Sequence, residues 1–197
     1  MKKYIFKYIN EYKYEIAIIC IISILGIISG AIIFNLFDEI TQNEIISKSK
    51  EVLNLSKESN FLIINIFKKV IFKFIFIFFS LYLFAYTFFC NNGIKIYNYI
   101  LGILTGVFIP NLIKIYDGKN VFLVLLLYVV IPYIFYQISI TYFSINSMVK
   151  NGQILENGKE KSGYFFIDII KIVFCFFVYF IGAVIEELGI IYMLSIL

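Results

Sequence analysis

Thirty consecutive residues of this chain, Asn120 to Val149, carry no charge, and three other charge-free stretches come close: Ile16–Phe37 (22 residues), Phe74–Ile94 (21) and Ile96–Ile113 (18). A hydrocarbon layer about 30 Å thick is crossed by roughly 20 apolar residues of helix. Only helices and closed barrels satisfy their own backbone in lipid, and no stretch alternates at period two as a barrel strand would. The pattern therefore predicts an all-α fold, a polytopic transmembrane helical bundle of about five spans forming a single membrane domain over residues 1–197.

Composition agrees and removes several function classes. The chain is 61% hydrophobic with a mean hydropathy of +0.92, against about 45–50% apolar in a soluble domain. There is no Trp among 23 Phe and 16 Tyr, so tyrosine must supply the interfacial aromatic belt. All 17 basic residues are lysine, which with the abundance of Ile, Asn, Tyr and Phe looks like an AT-rich bacterial genome. A net charge of +4, dispersed over loops and helix edges, gives no basic stripe for nucleic acid. Histidine is absent, which removes the commonest catalytic base and metal ligand together. Cys20, Cys90 and Cys175 lie in or beside apolar runs, with no CxxC grouping, and read as small buried hydrophobes.

Along the chain, Lys2, Lys3, Lys7 and Lys13 precede an apolar segment too long for a cleavable signal and lacking an A-x-A site. It is expected to stay as the first span, about 15–37, with the N-terminus in the cytoplasm. Residues 38–60 hold five acids (Asp38, Glu39, Glu44, Glu51, Glu58) against three lysines, with apolar pairs Ile45/Ile46 and Val52/Leu53 seven apart. That spacing predicts a short amphipathic helix on the outer surface. Lys68, Lys69 and Lys73 make residues 61–73 an interfacial lead-in, completing an outer segment over 38–71. The second span, about 72–90, is expected to end in a turn at Asn91-Asn92-Gly93. The third covers about 96–114, with Pro110 near its end, and Asp117-Gly118-Lys119-Asn120 reads as the next turn. The fourth, about 121–144, is broken by Pro132 and followed by an inner loop over 145–163. The fifth, about 164–185, stops at Glu186-Glu187, and the last ten residues extend it or fold back at the outer interface.

Few residues are candidates for chemistry. Gly26/Gly30 and Gly102/Gly106 each form a Gly-x-x-x-Gly pair, the pattern that lets two helix backbones meet. Asp168 and Lys171, three apart, share a helix face and read as an ion pair with Lys171 snorkelling inward. Glu186 and Glu187 superficially match the paired glutamates of intramembrane CAAX-type proteases. That chemistry also needs Arg and His, and this chain has neither. One carboxylate is instead expected to face the bundle while the other reaches the headgroups. No P-loop, nucleotide fingerprint or nucleophile elbow is present. The expected protein is not an enzyme and takes no cofactor or metal.

Five segments carry a resemblance: "NNG" (91–93), "LGILTG" (101–106), "YDG" (116–118), "IPYIFYQI" (131–138) and "IGAVIEELG" (181–189). Their order resembles the stage II sporulation protein M family of small bacterial integral membrane proteins, and the layout of one span, an external segment and a clustered bundle matches too. In many relatives the proline is followed by His-Gly and, after two residues, Glu; here Tyr133, Ile134 and Gln137 stand there, so no role of that His or Glu carries over. The resemblance implies a non-enzymatic role at the bacterial cytoplasmic membrane. Sporulation members scaffold cell-wall hydrolases during engulfment, and others accompany bacteriocin clusters and exporters in maturation, secretion or immunity. The implied partners are the lipid bilayer and other membrane or cell-wall proteins, with a homo-oligomer left open. The competing class is a transporter or channel subunit, with Pro110, Pro132, Gln137, Asp168 and Glu186 lining a path.

Overall fold

A computed structural model describes residues 10–58, 63–116, 121–157 and 165–196, all of them helix or short turn. The helices are α1 (Lys13–Leu36), α2 (Glu39–Glu58), α3 (Ile63–Phe84), α4 (Cys90–Ile115), α5 (Val121–Val124), α6 (Ile131–Asn157) and α7 (Phe165–Ile196). A π-helical segment, Leu125–Val130, joins α5 to α6 without a break. Among the described residues, four helices are long and apolar enough to cross a membrane: Lys13–Leu36, Cys90–Ile115, Val121–Gly152 and Ile169–Gly189. Val70–Phe84 is apolar but shorter. The protein is thus an all-α, polytopic, membrane-spanning bundle, with four such helices where the sequence led us to expect five.

Along α1 and α4 the buried face is rich in small and polar residues. On α1 the buried positions are Ile19, Ser23, Gly26, Gly30 and Phe34, while Ile21, Ile24, Ile28 and Ile32 are exposed. On α4, Asn98, Gly102 and Gly106 are buried and Ile96, Ile100, Leu104 and Phe108 point outward. Lipid tails are as apolar as leucine, so burying leucine gains little in a membrane; close packing and interhelical hydrogen bonds hold such helices together. Small and polar residues therefore turn inward, and large apolar ones form the belt that lipid covers.

Both glycine pairs meet at one contact. A Cβ on Gly26 would fall 2.3 Å from the Tyr99 carbonyl oxygen, and one on Gly30 2.2 Å from that of Ile103. Reciprocally, Gly102 and Gly106 would meet the carbonyl oxygens of Ser23 and Ile27 at 2.4 and 2.1 Å. Carbonyls facing glycine Cα atoms this closely make the weak Cα–H···O contacts typical of such crossings. Gly26 faces Gly102 and Gly30 faces Gly106, so numbering rises together along both helices. The two helices α1 and α4 run parallel.

Elsewhere side chains of α6 join the helices. Gln137 donates to Ser23 Oγ on α1 (2.9 Å) and Thr141 Oγ1 (3.2 Å). Asn98 on α4 donates to Ser144 Oγ (3.3 Å), and Ser139 Oγ donates to the Cys175 carbonyl on α7 (2.8 Å). Interhelical bonds of this kind contribute about 0.6 kcal/mol each in lipid. Phe74 and Phe78 of α3 pack edge-on against Phe176, Tyr179 and Phe143, completing the main core. All three cysteines are free thiols, and Cys90 and Cys175 are buried.

Several boundaries depart from the sequence reading. Residues 63–73 form no separate lead-in, because α3 runs unbroken from Ile63 to Phe84. The turn after it is Ala85–Phe89, and Asn91-Asn92-Gly93 is the first turn of α4, closed by Gly93 N–H to the Phe89 carbonyl at 2.7 Å. The reason lies far along the chain: Asn151 Nδ2 donates to the carbonyls of Ala85 and Thr87, both at 2.9 Å. The Ala85 carbonyl would otherwise be left over at a helix end, while that of Thr87 also accepts from the Cys90 N–H at 3.2 Å. Replacing Asn151 with Ala should cost about 1 kcal/mol and speed amide exchange over 85–93; unchanged exchange there would remove this account of the turn.

Much of the expected inner loop, 145–163, is helix, since α6 continues to Asn157. Pro132 does not break it. Proline has no N–H to give and crowds the carbonyl four residues back, and the π segment just upstream widens the helix where that misfit arises. Glu186-Glu187 do not interrupt α7, which runs to Ile196. The expected turn at 117–120 and the Lys2, Lys3 and Lys7 cluster lie outside the described residues.

Candidate functional site

Two polar groupings stand out, and both lie where the ends of α1 and α7 meet their neighbours. The first fixes α2. Phe37 adopts an extended backbone (ψ 147°) that stops α1. Asp38 then caps α2, accepting from Thr41 Oγ1 at 2.6 Å and from its backbone N–H at 3.4 Å. These bonds hold the Asp38 carboxyl below its ordinary range, because they favour the charged acceptor. Gln42, almost wholly buried, donates to the Phe37 carbonyl (2.8 Å) and accepts from Lys114 Nζ at the end of α4. The same ammonium lies 5.6 Å over the Phe34 ring. Asn111 adds a bond to Ser49 Oγ (2.7 Å). The result is an amphipathic helix held at two points on the shared end of α1 and α4. Its exposed side carries Glu44 and Lys48, paired at 2.7 Å. That pairing lowers the glutamate and raises the lysine.

The second grouping centres on Glu186. Tyr136 on α6 donates its hydroxyl to Glu186 Oε2 in a short bond, and Lys73 Nζ on α3 lies 3.9 Å from Oε1. The Tyr136 ring lies 4.4 Å from that of Tyr179. Glycines create the space. A Cβ at Gly182 would lie 2.9 Å from the Tyr136 ring and 3.1 Å from the Pro132 carbonyl. One at Gly189 would lie 3.1 Å from the Leu127 carbonyl in the π segment. Gly182, Glu186 and Gly189 fall at i, i+4 and i+7 of α7, one helical face. Neither glycine emerges from a search for Gly-x-x-x-Gly, though the spacing Gly182-x-x-x-Glu186 carries the signal.

The other sequence candidates are dispersed. Gln137 belongs to the buried seam with Ser23 and Thr141. Lys171 lines a cleft at the opposite end of the bundle with Tyr82 and Lys150. The side chain of Asp168 lies outside the described residues, and Glu187 is half-buried beside Glu186. Chemically, the Glu186 group is a carboxylate held by a phenol and an ammonium. Among the described residues no three His, Cys, Asp or Glu gather to hold a metal. No known protein-family model, curated protein or solved structure matches the chain.

Proposed function

We propose that this protein is a non-enzymatic membrane scaffold or accessory protein of the stage II sporulation protein M type, assembling partner proteins at the bacterial cytoplasmic membrane. The observation that carries the reading is α2, a charged helix locked to the bundle through Gln42–Lys114 and Asn111–Ser49. A surface that must dock a partner gains from being held in place, since ordering it on binding costs affinity. The class of partner, cell-wall hydrolase or exporter component, comes from the family resemblance alone.

The proposal includes five crossings with the N-terminus inside and α2 outside. What supports the extra crossing is the parallel course of α1 and α4: a chain that spans twice in the same direction must return in between. α3 is the described helix available for that return, and its 22 residues reach about 33 Å. What supports the orientation is the lysine cluster before Ile16.

A photo-crosslinker at Glu39, exposed at the start of α2, in the native membrane should capture a cell-wall hydrolase or an exporter component. Deleting residues 44–58 should abolish capture while the bundle still inserts. Reporters at Asn43, Asn92, Gly118, Gly158 and Leu197 should read out, in, out, in, out. A second reading, a transport subunit, is favoured by the buried seam of Ser23, Gln137, Thr141, Asn98 and Ser144, in which Asn98 Oδ1 has no partner among the described residues. Solute flux through the protein alone in liposomes would establish that reading and end the scaffold proposal.

A further inference from the structure

The end of the bundle opposite α2 contains a cleft between α3, α6 and α7. Its polar lining is Tyr82, Asn146, Ser147, Lys150 and Lys171, and its apolar walls are Phe143 and Ile172. The two lysines come from different helices but sit at one depth. Lys150 closes the charge-free run Asn120–Val149, and Lys171 lines the same cleft from α7. That depth is the boundary between hydrocarbon and headgroups, where long cationic side chains come to rest.

The Lys150 ammonium is steered. Its Nζ lies 3.2 Å from Tyr82 Oη, and 4.7 and 5.2 Å from the Tyr82 and Tyr86 ring centres. Tyr82 and Tyr86 are themselves joined hydroxyl to hydroxyl at 2.7 Å. The aromatic pair therefore sets the position of a charge that on a bare helix would wander. Below it, the cleft passes from ammonium groups through Asn146 and Ser147 to the ring of Phe143 and the side chain of Ile172. A ligand that fits this gradient is anionic at one end and aliphatic at the other.

We infer that this cleft binds one anionic phospholipid of the adjacent leaflet, its phosphate between Lys150 and Lys171 and an acyl chain against Phe143 and Ile172. Basic pockets between membrane helices at headgroup depth select acidic lipids by charge, each lysine adding to the attraction. The occupant is a lipid rather than free phosphate because the walls below the lysines are apolar and the cleft opens at the bilayer boundary. The inference is independent of the scaffold reading and of which side this end faces.

The test uses the full chain reconstituted in vesicles of phosphatidylcholine containing a trace of photoactivatable phosphatidylglycerol. Cross-links should concentrate on 143–150 and 171–172, whereas a photoactivatable phosphatidylcholine should label the apolar belt without that focus. The double variant Lys150→Gln/Lys171→Gln should lower cleft labelling about 30-fold, equivalent to about 2 kcal/mol for two lysines. Lys48→Gln, at the other end, should leave it unchanged. Millimolar inorganic phosphate should not displace the lipid. Equal labelling by both lipids, labelling of the double variant at parent level, or full displacement by phosphate would each overturn the inference. The mapping on the parent protein decides the matter even where the double variant fails to fold.

Discussion

Leucine at Gly106 should detach α1 from α4 and leave little folded protein in detergent. Overpacking a core costs about 1–3 kcal/mol where neighbours can shift. Here the obstacle is the Ile27 backbone carbonyl, 2.1 Å from where a Cβ would sit, with Ile27 Cα at 2.9 Å. Backbone in a helix cannot yield without losing its own hydrogen bonds, so the cost should reach or exceed the top of that range. A folded domain has about 5–15 kcal/mol in all. Gly106→Ala should already cost at least about 1 kcal/mol. Gly152 supplies the contrast, since nothing lies within 4 Å of its Cβ position on α6. Gly152→Ala should stabilise by about 0.5–1 kcal/mol. Unfolding in detergent, followed by circular dichroism, separates the two glycines, and a Gly106→Leu protein that melts like the parent would refute the backbone contact.

The second large effect belongs to Tyr136. Its bond to the Glu186 carboxylate is of the kind worth about 1.5–3 kcal/mol, because one partner is charged. The Lys73 pairing to the same carboxylate is longer, 3.9 Å, and the Lys73 side chain is 61% exposed. Exposed pairs contribute about 0–1 kcal/mol. Tyr136→Phe should therefore lower stability by about 2 kcal/mol, and Lys73→Gln by less than about 0.5 kcal/mol. Glu186→Gln, which keeps an acceptor for the phenol, should fall between Tyr136→Phe and the parent. A larger loss for Lys73→Gln than for Tyr136→Phe in the same melts would reverse this ranking.

The sequence was legible where lipid sets the rules and opaque where distant side chains do. Charge-free length announces a spanning helix in three of the four runs, because hydrocarbon excludes charge from any position along it, but the run Phe74–Ile94 is cut by the turn at Ala85–Phe89. The glycine pairs are equally plain, since four-residue spacing places two missing side chains on one face. That the two pairs meet each other is a tertiary fact. The hairpin turn was misplaced because Asn91-Asn92-Gly93 is a good local turn, while the real one depends on Asn151, more than sixty residues away. Pro132 and Glu186-Glu187 misled for a related reason. Each is unfavourable for a helix taken alone, and each is accommodated, the proline by a wider turn and the glutamate by a phenol on the next helix. Tyr136 was unreadable as a partner because nothing local distinguishes it from the other fifteen tyrosines.

The π segment has a consequence for how α5 and α6 are phased. Fitting one additional residue into a helix turns everything on one side of it by about 100° relative to the other. The π segment thus turns Val124, which is buried with Leu112, Ile115 and Tyr116, by about 100° relative to the face of α6 that carries Gln137, Thr141 and Ser144. Leu125–Val130 acts as a phase shifter. One continuous rod offers its polar side to α1 and α4 along most of its length, and an apolar side to the end of α4 at its tip. Removing a single residue there would restore ordinary helix and swing Val124 out of its cluster, with no change in composition or hydropathy to betray it.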